Sequence, residues 1–378
     1  MKIARLFLIG LLLLSMSVAS FAQSDDPIRV GVILPLTGAA AAVGPEVQLG
    51  VEFAFGQIEN EIAGRPIEII FEDETDDPAQ SVARARKLVE EDGVDVIIGP
   101  QLAHTGAAVS AYAEQAGVIH IALGAADGPE SAHTFFPGSG RGDAYQTGVF
   151  AYEELGARTA AVLYADYLFG QQSRDGFVES FTELGGEVTS EQPVGFGVAD
   201  MAPFLENIGD VDVVAVLLLN PSDFAFVRQY REFGLEAPVI FISNAPQEAP
   251  LLTQMGDDVI GMYGSSWYSP LIDSEENAAF VGAFVEAYER PPGTAVHVAY
   301  SAASMFIAAA EATEGDTSPE AITEAILALE ELPNPSGVVT MGEGRVAIHP
   351  HYIFQVEEME EGLYVWAPVT TYEAVEPR

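Results

Sequence analysis

Short apolar runs alternate with amphipathic stretches along most of this chain, and that alternation constrains its fold more than any other feature. Residues 28–34, 67–71, 94–98 and 118–122 are runs dominated by Val, Ile, Leu and Ala. Such runs are the pattern of strands buried on both faces. Between them, Asp77-Pro78 sets a capping carboxylate before a proline at the first helical position, and Val82, Ala85 and Val89 then share one face. Strand–helix order of this kind predicts a parallel sheet with helices on both sides. The pattern breaks at Phe136-Pro137-Gly138-Ser139-Gly140 and restarts with strands at 160–164, 188–192, 211–219 and 239–242. Phe177, Phe181 and Leu184 mark a helix face that Gly185-Gly186 closes, and Asn220-Pro221 opens another helix. Beyond Trp267-Tyr268, helices are expected at 274–288, 294–312 and 318–330, the last with Ser318 as cap and Pro319 first in the helix. Residues 338–369 read as strands. Two α/β units joined by glycine- and proline-marked crossings leave a cleft, and ligands of open parallel sheets sit off the carboxyl ends of the strands.

The first residues point to export. Lys2 and Arg5 precede an unbroken apolar run at 6–14, followed by small residues and Ser20-Phe21-Ala22. This is the pattern of a secretory signal peptide over residues 1–22, with the mature chain starting near Gln23. The apolar run is shorter than the ~20 residues that cross a bilayer, and a short N-terminal anchor is the alternative. No later segment reads as a membrane span, so no direct membrane anchor is expected. The chain has no cysteine, which removes disulfides, thiolate metal sites and a cysteine nucleophile. An exported chain without disulfides must be held by packing, which suits a large α/β body. Fifteen Lys and Arg stand against 57 Asp and Glu, for a net charge of −42. Nucleic acid and anionic lipid would repel such a surface. Adaptation to salty surroundings and simple solubility both fit that charge.

Enzyme signatures are missing. The first strand runs into Leu34-Pro35-Leu36-Thr37-Gly38 rather than a Gly-x-Gly-x-x-Gly turn. There is no Gly-x-x-x-x-Gly-Lys loop and no Gly-x-Ser-x-Gly elbow. His349-Pro350-His351 would share a strand face but lacks further ligands, so no metal and no cofactor are expected. The acidic run Glu72, Asp73, Glu74, Asp76 and Asp77 could bind calcium; as a solvated loop plus a helix cap at Asp77 it needs no ion. Arg141-Gly142-Asp143 reads as a turn at a crossing.

Four stretches together carry a resemblance. They are Ile28-Arg-Val-Gly-Val-Ile-Leu-Pro-Leu-Thr-Gly38 with Gly44 and Gly50; Glu72-Asp73 through Asp77-Pro78 to Gly93 and Gly99-Pro100; Gly117-Val-Ile-His-Ile-Ala-Leu-Gly-Ala-Ala126; and Leu163-Tyr-Ala-Asp-Tyr-Leu-Phe-Gly170 with Gly185-Gly186. In this order the chain resembles the type I periplasmic solute-binding proteins of the branched-chain amino acid ABC importer class, the leucine-binding-protein-like family. The resemblance implies two Rossmann-like α/β lobes, three interlobe crossings near 138–142, 264–268 and 346–349, and a ligand cleft between lobes. It places 28–140 plus 268–345 in lobe 1 and 141–267 plus 346–378 in lobe 2.

The resemblance also implies pocket positions. The serine that holds the ligand carboxylate in the amino-acid binders falls on Ala103, after Leu102 and followed by His104 and Thr105. The matching threonine falls on Ala126, in Gly124-Ala125-Ala126, and the acid that meets the ammonium falls on Asn244. Pocket walls fall on Phe169 and Leu219, with Asn220 and Trp267 beside them. Asn220 could equally be a helix cap, Asn244 a turn residue, and Trp267-Tyr268 packing at a hinge; Tyr164 and Tyr167 fit contact or packing. Two hydroxyls and a carboxylate are thus replaced by two methyls and an amide. A buried ammonium without a carboxylate costs several kcal/mol, which favours a less polar solute, an amide, or an aromatic or short-chain carboxylate over an aliphatic amino acid. Backbone N–H groups at a helix start near His104 could still hold a carboxylate. The expected function is capture, without chemistry, of a small organic solute by a periplasmic, monomeric component of an ABC importer. It would deliver that solute to an inner-membrane permease by clamshell closure. The alternative is a sensor partner of a signalling receptor.

Overall fold

The computed structural model describes residues 26–38, 40–124, 131–138, 140–242, 249–360 and 363–375. The expected signal peptide lies outside them. The chain builds two sheets. The first takes β1 (Ile28–Leu34), β2 (Glu61–Ile62), β3 (Arg65–Asp73), β4 (Val96–Ile98), β5 (Ile119–Ile121) and β6 (Thr134–Phe135), ordered β2-β3-β1-β4-β5-β6. Every pairing is parallel except β2 with β3. Parallel neighbours need a crossover. Three helices supply it here: α1 (Gly44–Gln57), α2 (Pro78–Lys87) and α3 (Ala103–Ala116).

The second sheet follows α4 (Gly140–Glu153). It holds β7 (Thr159–Ala165), β8 (Glu187–Val194), β9 (Val213–Leu217), β10 (Val239–Phe241), β11 (Tyr263–Ser266), β12 (Thr340–Met341), β13 (Ala347–Glu360) and β14 (Leu363–Val375). The order is β12-β13-β11-β10-β9-β7-β8, with β14 on β13. Strands β7 to β11 pair in parallel, while β12, β13 and β14 pair antiparallel. The all-parallel expectation therefore holds for the body of this sheet and fails at its C-terminal edge, where a hairpin needs no crossover helix. The remaining helices are α5 (Leu168–Glu183), α6 (Ala202–Leu205), α7 (Ser222–Glu232), α8 (Ala249–Met255), α9 (Glu275–Tyr288), α10 (Thr294–Ala312) and α11 (Pro319–Ala328).

Both faces of the central strands are covered, which explains their unbroken apolar runs. Strands β3 and β8, at or next to a sheet edge, are mostly half-buried or exposed, contrary to the reading of 67–71 as a strand buried on both faces. On β1, Val30, Val32 and Leu34 join the core with α1 and α10, while Ile33 packs on the far side with α2 and α3. On β9, Val213, Ala215 and Leu217 face one cluster, and Val214 and Val216 face another with Phe226 and Tyr230 of α7. Stacked Phe177 and Phe181 of α5, with ring centroids 5.5 Å apart, fill the first of these. Each such buried side chain contributes about 2 kcal/mol.

Helix ends follow their local chemistry. Asp77 accepts from the Ala79 and Gln80 amides and caps α2 as expected. Ser274 caps α9 by accepting from Asn277. Ser318 holds the cap position of α11 but its side chain makes no capping bond; the Asp316 carboxylate instead accepts from the Ser318 amide at 2.9 Å. Helix α10 spans the residues expected, and by length and composition it could cross a membrane, contrary to the sequence reading that no later segment could. Its window is 72% buried, so it is a core helix.

Three segments run between the sheets. The first leaves β6 and enters α4. The second leaves β11 and reaches α9, whose Phe280 and Phe284 pack on Phe53 of α1. The third leaves α11 and passes through β12 into β13. The first and third meet where the Phe136 amide donates to Arg345 O and the Ala347 amide to Phe136 O.

Candidate functional site

The carboxyl ends of both sheets contribute loops to one cleft. In the first lobe, the acidic loop after β3 is a clamp rather than a solvated segment. Asp73 accepts from the Leu36 and Thr37 amides and from the Thr37 hydroxyl, at 2.7 to 3.1 Å, and so fixes the turn after β1. These donors hold the Asp73 carboxyl below its usual value against the upward push of desolvation. Glu74 turns inward and is fully buried. It accepts from the Gln101 amide at 2.9 Å, the Leu102 amide at 2.8 Å and the Thr105 hydroxyl at 2.5 Å. Burial nevertheless pushes Glu74 up to about 7, with the Asp76 charge adding to the rise.

Glu74 thereby holds the loop that opens α3. Leu102 is the N-cap residue and has no side chain able to cap. Ala103, His104 and Thr105 form the first helical turn, whose amides have no acceptor within the helix. That end carries the positive pole of the helix dipole. The His104 ring nitrogen Nε2 lies 3.2 Å from Asp76 O, and its Nδ1 is buried without a hydrogen-bond partner. Gly124, just past β5, presses on the same loop: a Cβ there would lie 2.3 Å from Gln101 O.

In the second lobe the wall is aromatic. Tyr167 precedes α5 in extended conformation. Its ring stands edge-on to His104 across the cleft, with centroids 5.9 Å apart at 82°. Phe196 and Phe169 flank it at 5.4 and 6.3 Å. Burial and the nearby Glu74 charge push the Tyr167 phenol upward. Leu219 and Asn220 follow β9, both half-buried. With its amide oriented to donate, Asn220 meets the two Asp223 carboxylate oxygens at 2.7 and 3.0 Å. Burial raises Asp223 to about 7, opposed by the Phe224 amide.

Behind the cleft, the three crossings converge on Asp143. The Trp267 indole donates to Asp143 Oδ2 at 2.5 Å. His349 Nε2 and His351 Nδ1 each lie 3.5 Å from Oδ1. Burial drives His349 down to about 4 and His351 well below its usual value, so both are neutral at pH 7. Gly138 makes the approach possible, since a Cβ there would lie 2.4 Å from His349 Nε2. Among the described residues, no cluster of three or more His, Cys, Asp or Glu is arranged to hold a metal ion.

The structure thus brings Leu102, Ala103, His104, Thr105 and Gly124 to one lip and Phe169, Leu219 and Asn220 to strand ends of the other sheet. Thr105 is fully buried, its hydroxyl committed to Glu74 and Leu102 O. Trp267 sits in the junction with its donor committed to Asp143, the packing role that the sequence left open. Ala125, Ala126 and Asn244 lie outside the described residues. Sequence reasoning missed Glu74, Gln101 and Phe196; it placed Asp143 at a crossing but in a turn, where the structure has the first turn of α4. Phe196 carried a signal, as an aromatic beside glycines just after a strand run.

A family model described as Periplasmic binding protein matches residues 27–362. Leu/Ile/Val-binding protein homolog 6 of Brucella abortus (strain 2308) is 26% identical over 376 residues, with 94% of each chain covered. The solved ABC transporter substrate-binding protein from Sphaerobacter thermophilus superposes with a TM-score of 0.85 at 29% identity, covering 93% of this chain and 99% of that one. A solute-binding protein of an ABC transporter from Rhodopseudomonas palustris BisB5, solved in complex with 3,4-dihydroxybenzoic acid, gives 0.84 at 26% identity, with 93% and 98% covered.

Proposed function

The chain belongs to the periplasmic binding protein family, and from that membership we propose that it is the extracytoplasmic capture component of an ABC importer for a small aromatic carboxylate. The solute enters the open cleft, the lobes close on it by hinge motion about the three crossings, and a membrane permease receives the closed form. No bond in the solute is made or broken.

One observation carries the choice of ligand class. The first-lobe wall offers the amino end of α3, and the facing wall offers Tyr167, Phe169 and Phe196. Amides at a helix start suit an anionic group, and aromatic rings suit a flat apolar body. An α-amino acid would add an ammonium, and the position that meets it in the amino-acid binders is Asn244 here, an amide. The Rhodopseudomonas palustris relative, solved with an aromatic acid, supports this reading.

The test is a thermal-shift panel of benzoate, 4-hydroxybenzoate, 3,4-dihydroxybenzoate, aliphatic amino acids, amides and short acids. A ligand at a hundred times its Kd adds about 2.7 kcal/mol, which for a chain this size raises Tm by about 4 °C. The largest shift is expected from an aromatic acid. A larger shift from leucine or isoleucine would reverse the reading.

A further inference from the structure

The acids after β3 are the least expected feature of the cleft. An exposed acidic loop would cost little to alter, yet Glu74 is fully buried with three donors on its carboxylate. All three come from one short stretch, Gln101 to Thr105, which lies 27 to 31 residues further along the chain. The backbone of the acidic loop is anchored as well: the Glu74 amide donates to Leu34 O at 2.9 Å, and the Ser81 hydroxyl donates to Glu74 O. The carboxylate therefore reaches from a fixed base to the loop that opens α3.

We propose that Glu74 is a positioning residue for ligand capture: it holds residues 101–105 so that the first turn of α3 and His104 face Tyr167 across the cleft. The proposal rests on reading the cleft as the ligand site. A loop that opens a helix without a capping side chain has free amides and few constraints. Leu102 cannot cap, so a residue from elsewhere must order it. Glu74 takes the amides of Gln101 and Leu102, and the next amides, of Ala103, His104 and Thr105, are thereby aimed as a group. His104 is fixed twice, through Thr105 on its own turn and through its Nε2 beside Asp76 O. Its ring is the first-lobe partner of Tyr167. Placement of the loop by Glu74 thus bears directly on a contact between lobes.

The bond pattern tolerates either protonation state. Thr105 can donate to Leu102 O at 2.7 Å while accepting from a protonated Glu74. The amides, though, bind the ionised form more strongly. The titratable groups that interact with this carboxyl are Asp76 on its own loop and Tyr167 from the second lobe.

Hydrogen exchange on the ligand-free protein tests the proposal, comparing wild type with Glu74→Gln and Glu74→Ala. In Glu74→Ala, amides at 101–107 and 164–171 should exchange about tenfold faster, while those of β9 stay unchanged. Glu74→Gln should fall between, because its single carbonyl oxygen replaces two acceptors. Unchanged protection at 101–107, or equal loosening of β9, would overturn the proposal. Should Glu74→Ala fail to fold, Glu74→Gln decides alone by the same comparison. A second arm measures affinity for 3,4-dihydroxybenzoate. No binding by wild type would sink the proposed ligand class and leave the exchange result standing. Binding that is equally tight in Glu74→Ala would sink the positioning role, and a loss of about tenfold with partial recovery in Glu74→Gln would support it.

Discussion

The two walls of the cleft are built on different physics. The first-lobe wall is backbone held by carboxylates: Asp73 fixes the turn after β1 and Glu74 fixes the start of α3. The second-lobe wall is aromatic, with Tyr167 in ring contact with both Phe169 and Phe196. Fixed dipoles give direction and suit one charged group in one place. Rings give area and tolerate variation in what they cover. A clamshell with one wall of each kind can read the charge of a solute with one lobe and its body with the other. The walls also share one feature, a buried acid raised to about 7: Glu74 in the first lobe and Asp223 in the second.

The largest expected effect breaks the contrast, because pH acts on both lobes. His120, His297 and His349 are each driven to about 4 by burial. The unfolded chain binds more protons at these groups between pH 6.5 and 4. Their contribution is therefore complete above pH 6.5 and lost progressively as pH falls to 4, by about 3 kcal/mol for each group. Glu74 and Asp223 run the other way. Their folded forms hold protons longer, so stability falls as pH rises from about 4.5 to 7. Thermal unfolding between pH 4 and 8 should show the histidine loss dominating on the acid side. Glu74→Gln should flatten the slope between pH 5 and 7 and leave the acid loss intact. A Tm that is highest at pH 4 would contradict this balance.

The next effects sharpen the contrast. Glu74→Ala leaves the Gln101 and Leu102 amides without their acceptor, for a cost of about 3 kcal/mol. Tyr167→Ala removes a half-buried ring, and it should cost less stability but about tenfold in affinity for an aromatic acid. Denaturant unfolding and titration of both variants check the pair. Equal stability losses would mean that the walls do not divide the work.

Much of the fold was legible because its determinants are local. The α2 cap at Asp77 and the span of α10 are set by residues within a turn of each other. The apolar runs marked β1, β7 and β10 because both faces of those strands are covered. What was hidden depends on distant partners. Glu74 looks like its solvated neighbours until Gln101 and Leu102 are folded against it. Asp143 and Trp267 are 124 residues apart and meet only because three crossings converge. The same convergence explains why Trp267, whose indole could have lined a flat ligand, has its donor committed to the hinge. At Ser318 the local signal gave the cap position and Pro319 first in the helix, but the serine side chain makes no capping bond. Of the site residues inferred from the family pattern, those described lie shortly after strands, but sequence spacing could not say which side chains face the cleft.

The central claim is that one lobe reads a carboxylate and the other a flat body. Calorimetric titration of the purified mature protein with 4-hydroxybenzoate and with leucine tests it most directly. Saturable binding of 4-hydroxybenzoate with at least about tenfold preference over leucine, lost in Tyr167→Ala, is the result this account expects. Tighter binding of leucine, undiminished in Tyr167→Ala, would contradict it.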